Sequence, residues 1–207
     1  MRLRAWDLTI ERGGRRVIAG LSFEAPAGSG VIVTGPNGAG KTSLLRALAG
    51  FLPIEAGGFA LDGADDERTA GEQAHYLGHA DGVKGALTAG ENLAFAAAIL
   101  GGDSSRAAQL AALQALGLAH VIDFPVRLLS AGQRRRAALA RLLIAKRPLW
   151  LLDEPMTALD AAAQAALGAI MRAHVQGGGI LVAAAHGALG LEGAQEIKLG
   201  AIERANG

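Results

Sequence analysis

The chain opens with short apolar runs separated by glycines. Residues 3–11 and 15–25 are two such runs with a glycine pair between them, which predicts a β-hairpin. The β-branched run at 31–34 predicts a buried strand that stops at a glycine-rich turn. Residues 42–50 then predict a helix, because three leucines share one face, and residues 59–61 predict another short strand.

The middle of the chain changes to helical periodicity. Alanine- and leucine-rich segments predict helices at residues 91–100, 104–116 and 133–144. Strand patterning returns at 149–152 and 180–185, with a helix between them at 161–175. Strands that alternate with helices predict an α/β fold with a mostly parallel sheet, preceded here by antiparallel N-terminal strands and interrupted by an inserted helical subdomain.

These elements suggest one domain over residues 1–207. We expect its core to comprise about residues 1–78 and 148–207, and its helical subdomain to comprise about residues 79–147. The length is ample for a buried core. No internal repeat or flexible linker divides the chain.

Composition excludes several classes of protein. With 20 basic and 19 acidic side chains the net charge is +1, so a general nucleic-acid binder is not expected. The absence of cysteine excludes disulfides, thiolate metal sites and C-x-x-C-H haem attachment, and it fits a reducing compartment. Hydrophobic residues make up 51% of the chain, but the uncharged run at 93–102 is too short to span a membrane. We therefore expect an intracellular chain, with no N-terminal signal pattern.

A phosphate-binding loop occupies residues 35–42, which satisfy G-x-x-x-x-G-K-[ST] between a predicted strand and a predicted helix. Glycines let the backbone N–H groups wrap around phosphate. Lys41 is expected to reach the β- and γ-phosphates, Thr42 to ligate Mg²⁺, and Ser43 to support an α-phosphate oxygen. The expected nucleotide-binding residues are Gly35, Pro36, Asn37, Gly38, Ala39, Gly40, Lys41, Thr42 and Ser43. This loop alone leaves kinases, GTPases and motor ATPases open.

Two acids end the apolar run at 149–152, and ligands of parallel α/β sheets bind at that edge. Asp153 is expected to hold Mg²⁺ through water. Glu154 is expected on the other side of the strand, where it could polarise an attacking water as a catalytic residue. The alternative to these functional roles is that the two acids simply end the strand in solvent.

The segment L-S-x-G-Q at 129–133 also fits an ordinary capping box. Its place between the phosphate loop and the acid pair resembles the signature of ABC-type ATPases, a family of P-loop NTPases with a RecA-like core. The resemblance implies that Ser130, Gly132 and Gln133 bind nucleotide held by a second subunit. It also implies a D-loop that contains Asp160 and a catalytic switch histidine at His186, although a lone histidine is more often structural.

Each motif occurs once, so the resemblance implies that two copies, or one copy and a homologous partner, enclose two ATP molecules. Two positions depart from the family pattern. Arg12 stands where an aromatic side chain usually stacks on adenine, with Trp6 as the alternative contact. His79 stands where the family has glutamine, either as a catalytic residue or as a neutral structural substitute. The arginines at 134–136 predict a solvated helix face, with a basic rim against a partner as the alternative.

The segments Y-L-G-H at 76–79 and L-T-A-x-E-N-L at 87–93 resemble the subgroup of ATP-binding subunits that serve a haem exporter in cytochrome c maturation. The compact length of the chain, in which 21 residues follow His186, agrees with this resemblance. The resemblance implies a peripheral subunit on the cytoplasmic face of the bacterial inner membrane, docked to integral membrane subunits, whose ATP hydrolysis drives haem transfer to a chaperone. The alternatives are an exporter of another substrate, a nucleotide-gated docking module, and a DNA-repair or translation ATPase.

Overall fold

The computed structural model describes residues 1–187 and 189–200. An antiparallel hairpin opens the chain, formed by β1 (Arg2–Arg12) and β2 (Arg15–Pro26), and β4 (Ala56–Asp62) pairs with the other edge of β1. At the hairpin tip Arg12 pairs with Arg15 across the glycine turn. The hairpin predicted from the two apolar runs is confirmed.

A second sheet has five parallel strands in the order β5-β6-β7-β3-β8. The strands are β3 (Ser29–Thr34), β5 (Ala74–Leu77), β6 (Leu149–Asp153), β7 (Ile180–Ala184) and β8 (Gln195–Lys198). The strands β6 and β7 are buried throughout, which explains their continuous apolar sequences. The predicted α/β class, with antiparallel N-terminal strands and a parallel sheet, is confirmed.

Helix α1 (Lys41–Leu48) packs its buried leucines Leu44, Leu45 and Leu48 into the core beside both sheets. This packing fixes the segment that joins β3 to α1, where the phosphate loop was expected. The position of that loop therefore follows from the burial of one helix face.

The remaining helices are α2 (Ala89–Leu100), α3 (Arg106–Gln114), α4 (Ala131–Leu139), α5 (Arg141–Ile144) and α6 (Ala161–Gln176). Short 3-10 turns lie at Ala119–Val121 and Val126–Leu128. One continuous helix was predicted at 133–144. The structure instead has two helices, α4 and α5, separated at Ala140. Among the helices described, none is long and apolar enough to cross a membrane.

Two compact units divide the chain. The first comprises Met1–Gly78, Pro148–Pro155 and Met171–Gly207, of which residue 188 and residues 201–207 lie outside the description, and it contains both sheets and α1. The second comprises His79–Arg147 and Met156–Ile170, and it contains α2 to α5 and the greater part of α6.

Candidate functional site

The loop between β3 and α1 has a backbone that only glycine fits at two positions. Gly35 has a φ of 139°, and an added Cβ would lie 2.3 Å from the carbonyl oxygen of Leu199. Gly40 has a φ of 98°, and an added Cβ would lie 2.9 Å from the carbonyl oxygen of Val17. No side chain caps α1 at Gly40, so the first N–H groups of the helix face the loop.

The Lys41 side chain is hydrogen-bonded to the backbone of this loop. Its side chain is buried, and its ammonium donates hydrogen bonds to the carbonyl oxygens of Gly35 at 2.7 Å and Pro36 at 3.2 Å. A positive charge and a helix N-terminus therefore lie at the same end of α1. This arrangement suits a polyphosphate.

Thr42 and Asp153 join the loop to the end of β6. The Thr42 hydroxyl donates to Oδ2 of Asp153 at 2.8 Å, and Asp153 is 3% exposed. Burial raises the pKa of Tyr76, and the negative charge of Asp153 raises it further. A hydroxyl and a carboxylate oxygen are hard ligands, so this pair fits Mg²⁺, which takes few protein ligands and keeps several waters. No cluster of three or more histidine or acidic side chains that could hold a metal occurs among residues 1–187 and 189–200.

Glu154 and His186 form a second polar pair, with His186 Nε2 lying 3.2 Å from Glu154 Oε1. Glu154 has a φ of 49°, an uncommon backbone conformation for a residue other than glycine, and its N–H donates to the carbonyl oxygen of Ala184. Asp153 and Glu154 both line one cavity at the end of β6. Glu154 follows the strand end, where the side-chain alternation has stopped.

These groups share a cavity of about 450 Å³. It is lined by Arg12, Arg15, Val17, Asn37, Gly38, Ala39, Gly40, Lys41, Thr42, Ser43, Asp153, Glu154 and His186. Sequence reasoning missed Arg15 and Val17. The glycine turn predicted the hairpin, but only the strand register places Arg15 beside Arg12 at the cavity. Trp6 packs elsewhere, with its ring covering Gly58, where an added Cβ would lie 2.7 Å from Cζ2.

The other expected site residues belong to the second unit. Ser130 is the N-cap of α4, and its hydroxyl accepts a hydrogen bond from the Gln133 backbone N–H at 3.2 Å while Gln133 Oε1 accepts from the Ser130 N–H at 2.9 Å. Gly132 lies against the D-loop, since an added Cβ would be 3.2 Å from the carbonyl oxygen of Ala158. Asp160 accepts from the Ala163 N–H at the start of α6. The signature and the D-loop are therefore neighbours.

His79 is exposed and begins the second unit. Within that unit the three arginines after the signature are engaged by protein groups. Arg135 is 4% exposed and pairs with Asp81, while Arg134 and Arg136 donate to backbone carbonyls. The predicted solvated face is therefore wrong.

Comparison with known proteins identifies the family. The family described as ABC transporter matches residues 18–157. The cytochrome c biogenesis ATP-binding export protein CcmA of Nitrobacter winogradskyi is 55% identical over 200 residues, which cover 97% of this chain and 98% of that protein. The chain belongs to the CcmA family of ABC transporter ATPases. The CcmA export protein of Bradyrhizobium diazoefficiens is 51% identical over 98% of this chain and 100% of its own length.

Solved structures show the same fold. An ABC transporter ATP-binding protein from Pyrococcus furiosus superposes with a TM-score of 0.83 at 21% identity, over 96% of this chain and 98% of its own, which shows the fold. A bacterial Atm1-family ABC exporter with ATP bound gives a TM-score of 0.81 at 26% identity, over 98% of this chain and 38% of the exporter chain. The ABC-type ATPase, the P-loop NTPase fold and ATP as ligand, all expected from the motifs, are confirmed.

Proposed function

We propose that this ABC transporter ATPase drives haem export or transfer for c-type cytochrome biogenesis. The observation that carries the ATPase chemistry is the meeting of Lys41, the Thr42–Asp153 pair and the Glu154–His186 pair in one cavity. The proposed substrate class is supported by relatives that are cytochrome c biogenesis ATP-binding export proteins.

The first unit would hold the nucleotide through residues 35–43. Backbone N–H groups and Lys41 bind the phosphates, while Thr42 and Asp153 hold Mg²⁺, which neutralises phosphate charge when bound. Glu154 accepts hydrogen bonds from the attacking water and aligns it with the γ-phosphorus. His186, 3.2 Å from Glu154, would hold that carboxylate in place and help to position the water. Phosphoryl transfer to water then yields ADP and phosphate.

Arg12 and Arg15 would contact the base. Both side chains line the cavity at the hairpin tip. A planar guanidinium can stack on a purine ring as an aromatic side chain does. This role replaces the expected aromatic side chain with a pair of cations.

A second copy of the chain would complete each site. Ser130, Gly132 and Gln133 present the N-terminus of α4, whose dipole favours an anionic γ-phosphate. Asp160 lies in the D-loop beside this signature. We assign residues 1–78 and 148–207 to the nucleotide-binding core and residues 79–147 to the helical subdomain of one domain. His79 would contact water near the γ-phosphate.

The printed names of the relatives, ATP-binding export proteins, support a proposal for the cellular setting. We place the chain at the cytoplasmic face of the bacterial inner membrane as a peripheral subunit bound to integral membrane transporter subunits. Those subunits would handle haem and deliver it to a chaperone. An ABC exporter of another substrate is the second candidate, and purification of the chain from membranes with identification of its partners distinguishes the two.

Glu154→Gln tests the ATPase assignment. Loss of the carboxylate should leave ATP binding intact and reduce hydrolysis about 100-fold or more, so that an ATP-bound dimer accumulates. Light scattering with and without Mg-ATP measures the dimer, and phosphate release measures turnover. The exposed Glu55→Gln variant is the control. Undiminished turnover of Glu154→Gln in the presence of the membrane subunits would contradict the assignment.

A further inference from the structure

Asp81 lies near two arginines of the second unit, one buried and one half-buried. Arg135 of α4 approaches its carboxylate, with Nη1 3.3 Å from Oδ1, and the side chains are 5% and 27% exposed. Arg141 of α5 is the second. Burial lowers the pKa of Arg141, and among nearby charges Asp81 raises it while Arg135 lowers it further. The Asp81 carboxylate therefore contacts the guanidinium of Arg135 and lies close enough to Arg141 to favour its charge.

The segment around Asp81 is fixed to the same unit at its other end. We call residues 79–85 the His79 loop. The Asn92 amide, buried in α2, accepts from the Lys84 N–H at 2.7 Å and donates to the Lys84 carbonyl at 3.0 Å. The Gly85 carbonyl accepts from the Arg127 N–H at 2.9 Å. The His79 loop is thus attached to α2, to the segment before the signature and, through Asp81, to α4.

Ser130 caps the N-terminus of helix α4, and we expect it to meet the γ-phosphate held by the second copy. Arg135 lies on that helix, and His79 lies two residues before Asp81. Displacement of the His79 loop must therefore be transmitted to α4 as long as the Asp81–Arg135 pair is intact. A mobile link between them would instead absorb the displacement.

We propose that Asp81 is a positioning residue that holds the His79 loop and the signature helix α4 together as one rigid piece, so that ATP-dependent dimerisation depends on the Asp81–Arg135 ion pair. This inference rests on the proposed ATP-bound dimer. In this proposal Asp81 sets the orientation of Ser130 through Arg135 and does not itself contact the nucleotide.

The test uses Asp81→Asn in the full chain with Glu154→Gln as the background. Asparagine keeps the size of the side chain and removes its charge. We expect the dimer in Mg-ATP to dissociate about tenfold more readily, while binding of a fluorescent ATP analogue to dilute monomer changes less than about twofold. The matched control is Asp123→Asn, which breaks an exposed ion pair with Arg106 in the same unit. Its dimer should be unchanged.

A second variant separates positioning from folding. Asp81→Asn/Arg135→Gln removes both members of the ion pair, so no guanidinium is left buried without its carboxylate and the melting temperature should recover. The proposal expects the dimer of this double variant to remain weak. Recovery of the dimer together with the melting temperature would show a purely structural role and overturn the proposal. Unchanged dimerisation of Asp81→Asn would overturn it as well.

The outcome for the background reports separately on the proposed function. If Glu154→Gln alone forms no dimer in Mg-ATP, the ATP-bound dimer itself is refuted. If the Glu154→Gln background dimerises and the Asp81 variants dimerise as strongly as the Asp123→Asn control, the ATP-bound dimer stands and the positioning role of Asp81 is refuted.

Discussion

Thr42 donates a hydrogen bond of 2.8 Å to Asp153, although the two residues are 111 positions apart in the sequence. Thr42 lies in the first turn of α1, and Asp153 ends β6, which is separated from β3 in the sheet by β7. The crossover between parallel strands therefore brings a hydroxyl and a carboxylate to one edge of the sheet.

Substitution of Thr42 tests the proposed Mg²⁺ ligand. Thr42→Val keeps the shape and removes the hydroxyl, so ATP hydrolysis should fall about 100-fold and the Mg²⁺ concentration required for activity should rise. Thr42→Ser retains the hydroxyl and serves as the control, with activity close to that of the parent chain. Phosphate release over a Mg²⁺ titration measures both. Equal activity of the two variants would exclude Thr42 as a ligand.

His186 should matter for hydrolysis and not for ATP affinity. It contacts Glu154, which we assign to the attacking water, and its side chain is largely exposed. His186→Ala should lower kcat about 100-fold with little change in KM, because the missing contact acts on the transition state. The exposed His120→Ala variant, in the second unit, is the control. A rise in KM at constant kcat would assign His186 to ground-state binding instead.

Arg15 and Arg16 form a matched pair of neighbours at the hairpin tip. Arg15 lines the cavity, whereas Arg16 pairs in register with Glu11 and does not. Arg15→Ala should weaken ATP binding about threefold through loss of a cation–π contact, and Arg16→Ala should leave it unchanged. Competition by inorganic triphosphate separates the two parts of the nucleotide. If Arg15→Ala weakens triphosphate binding equally, Arg15 contacts phosphate and not the base.

Stability should fall below about pH 6.5 because of His174. Its ring stacks on Trp150 with centroids 3.9 Å apart, and Nε2 lies 3.2 Å from the Ile180 carbonyl oxygen. Burial lowers the pKa of His174 below its ordinary 6.5, while the contact with Ile180 opposes this shift. The unfolded chain therefore takes up a proton first as pH falls. The stabilisation is complete above 6.5, declines below it, and levels off once the folded imidazole is also protonated.

Urea unfolding at a series of pH values measures this effect against His174→Phe. Phenylalanine keeps a ring on Trp150 but cannot bind a proton, so the difference in unfolding free energy between the two proteins should change between pH 7 and 5. The other histidines are common to both proteins and cancel in the difference. A constant difference over that range would show that His174 has the same pKa in the folded and unfolded chain.

Much of the site could be predicted from sequence because its chemistry is local. Residues 35–42 specify the phosphate loop by themselves, since the turn needs glycines at fixed spacing and the lysine and threonine follow directly. The hairpin was also predictable, because its two apolar runs flank a glycine turn. The strands β5 and β8 were not predicted. They have four residues each, and β8 exposes three of them at the sheet edge, which leaves no clear pattern.

The sequence by itself determined that the chain binds a nucleotide, which acids end a strand, and where the signature begins. Only the tertiary structure decided which groups meet. The sheet order brings Asp153 to Thr42, and Glu154, with a positive φ, lines the same cavity as Asp153. Arg135 is buried on α4, where it pairs with Asp81, 54 residues earlier. Such contacts depend on strand register and on the burial of charge, which are set by packing between distant segments and not by any local run of residues.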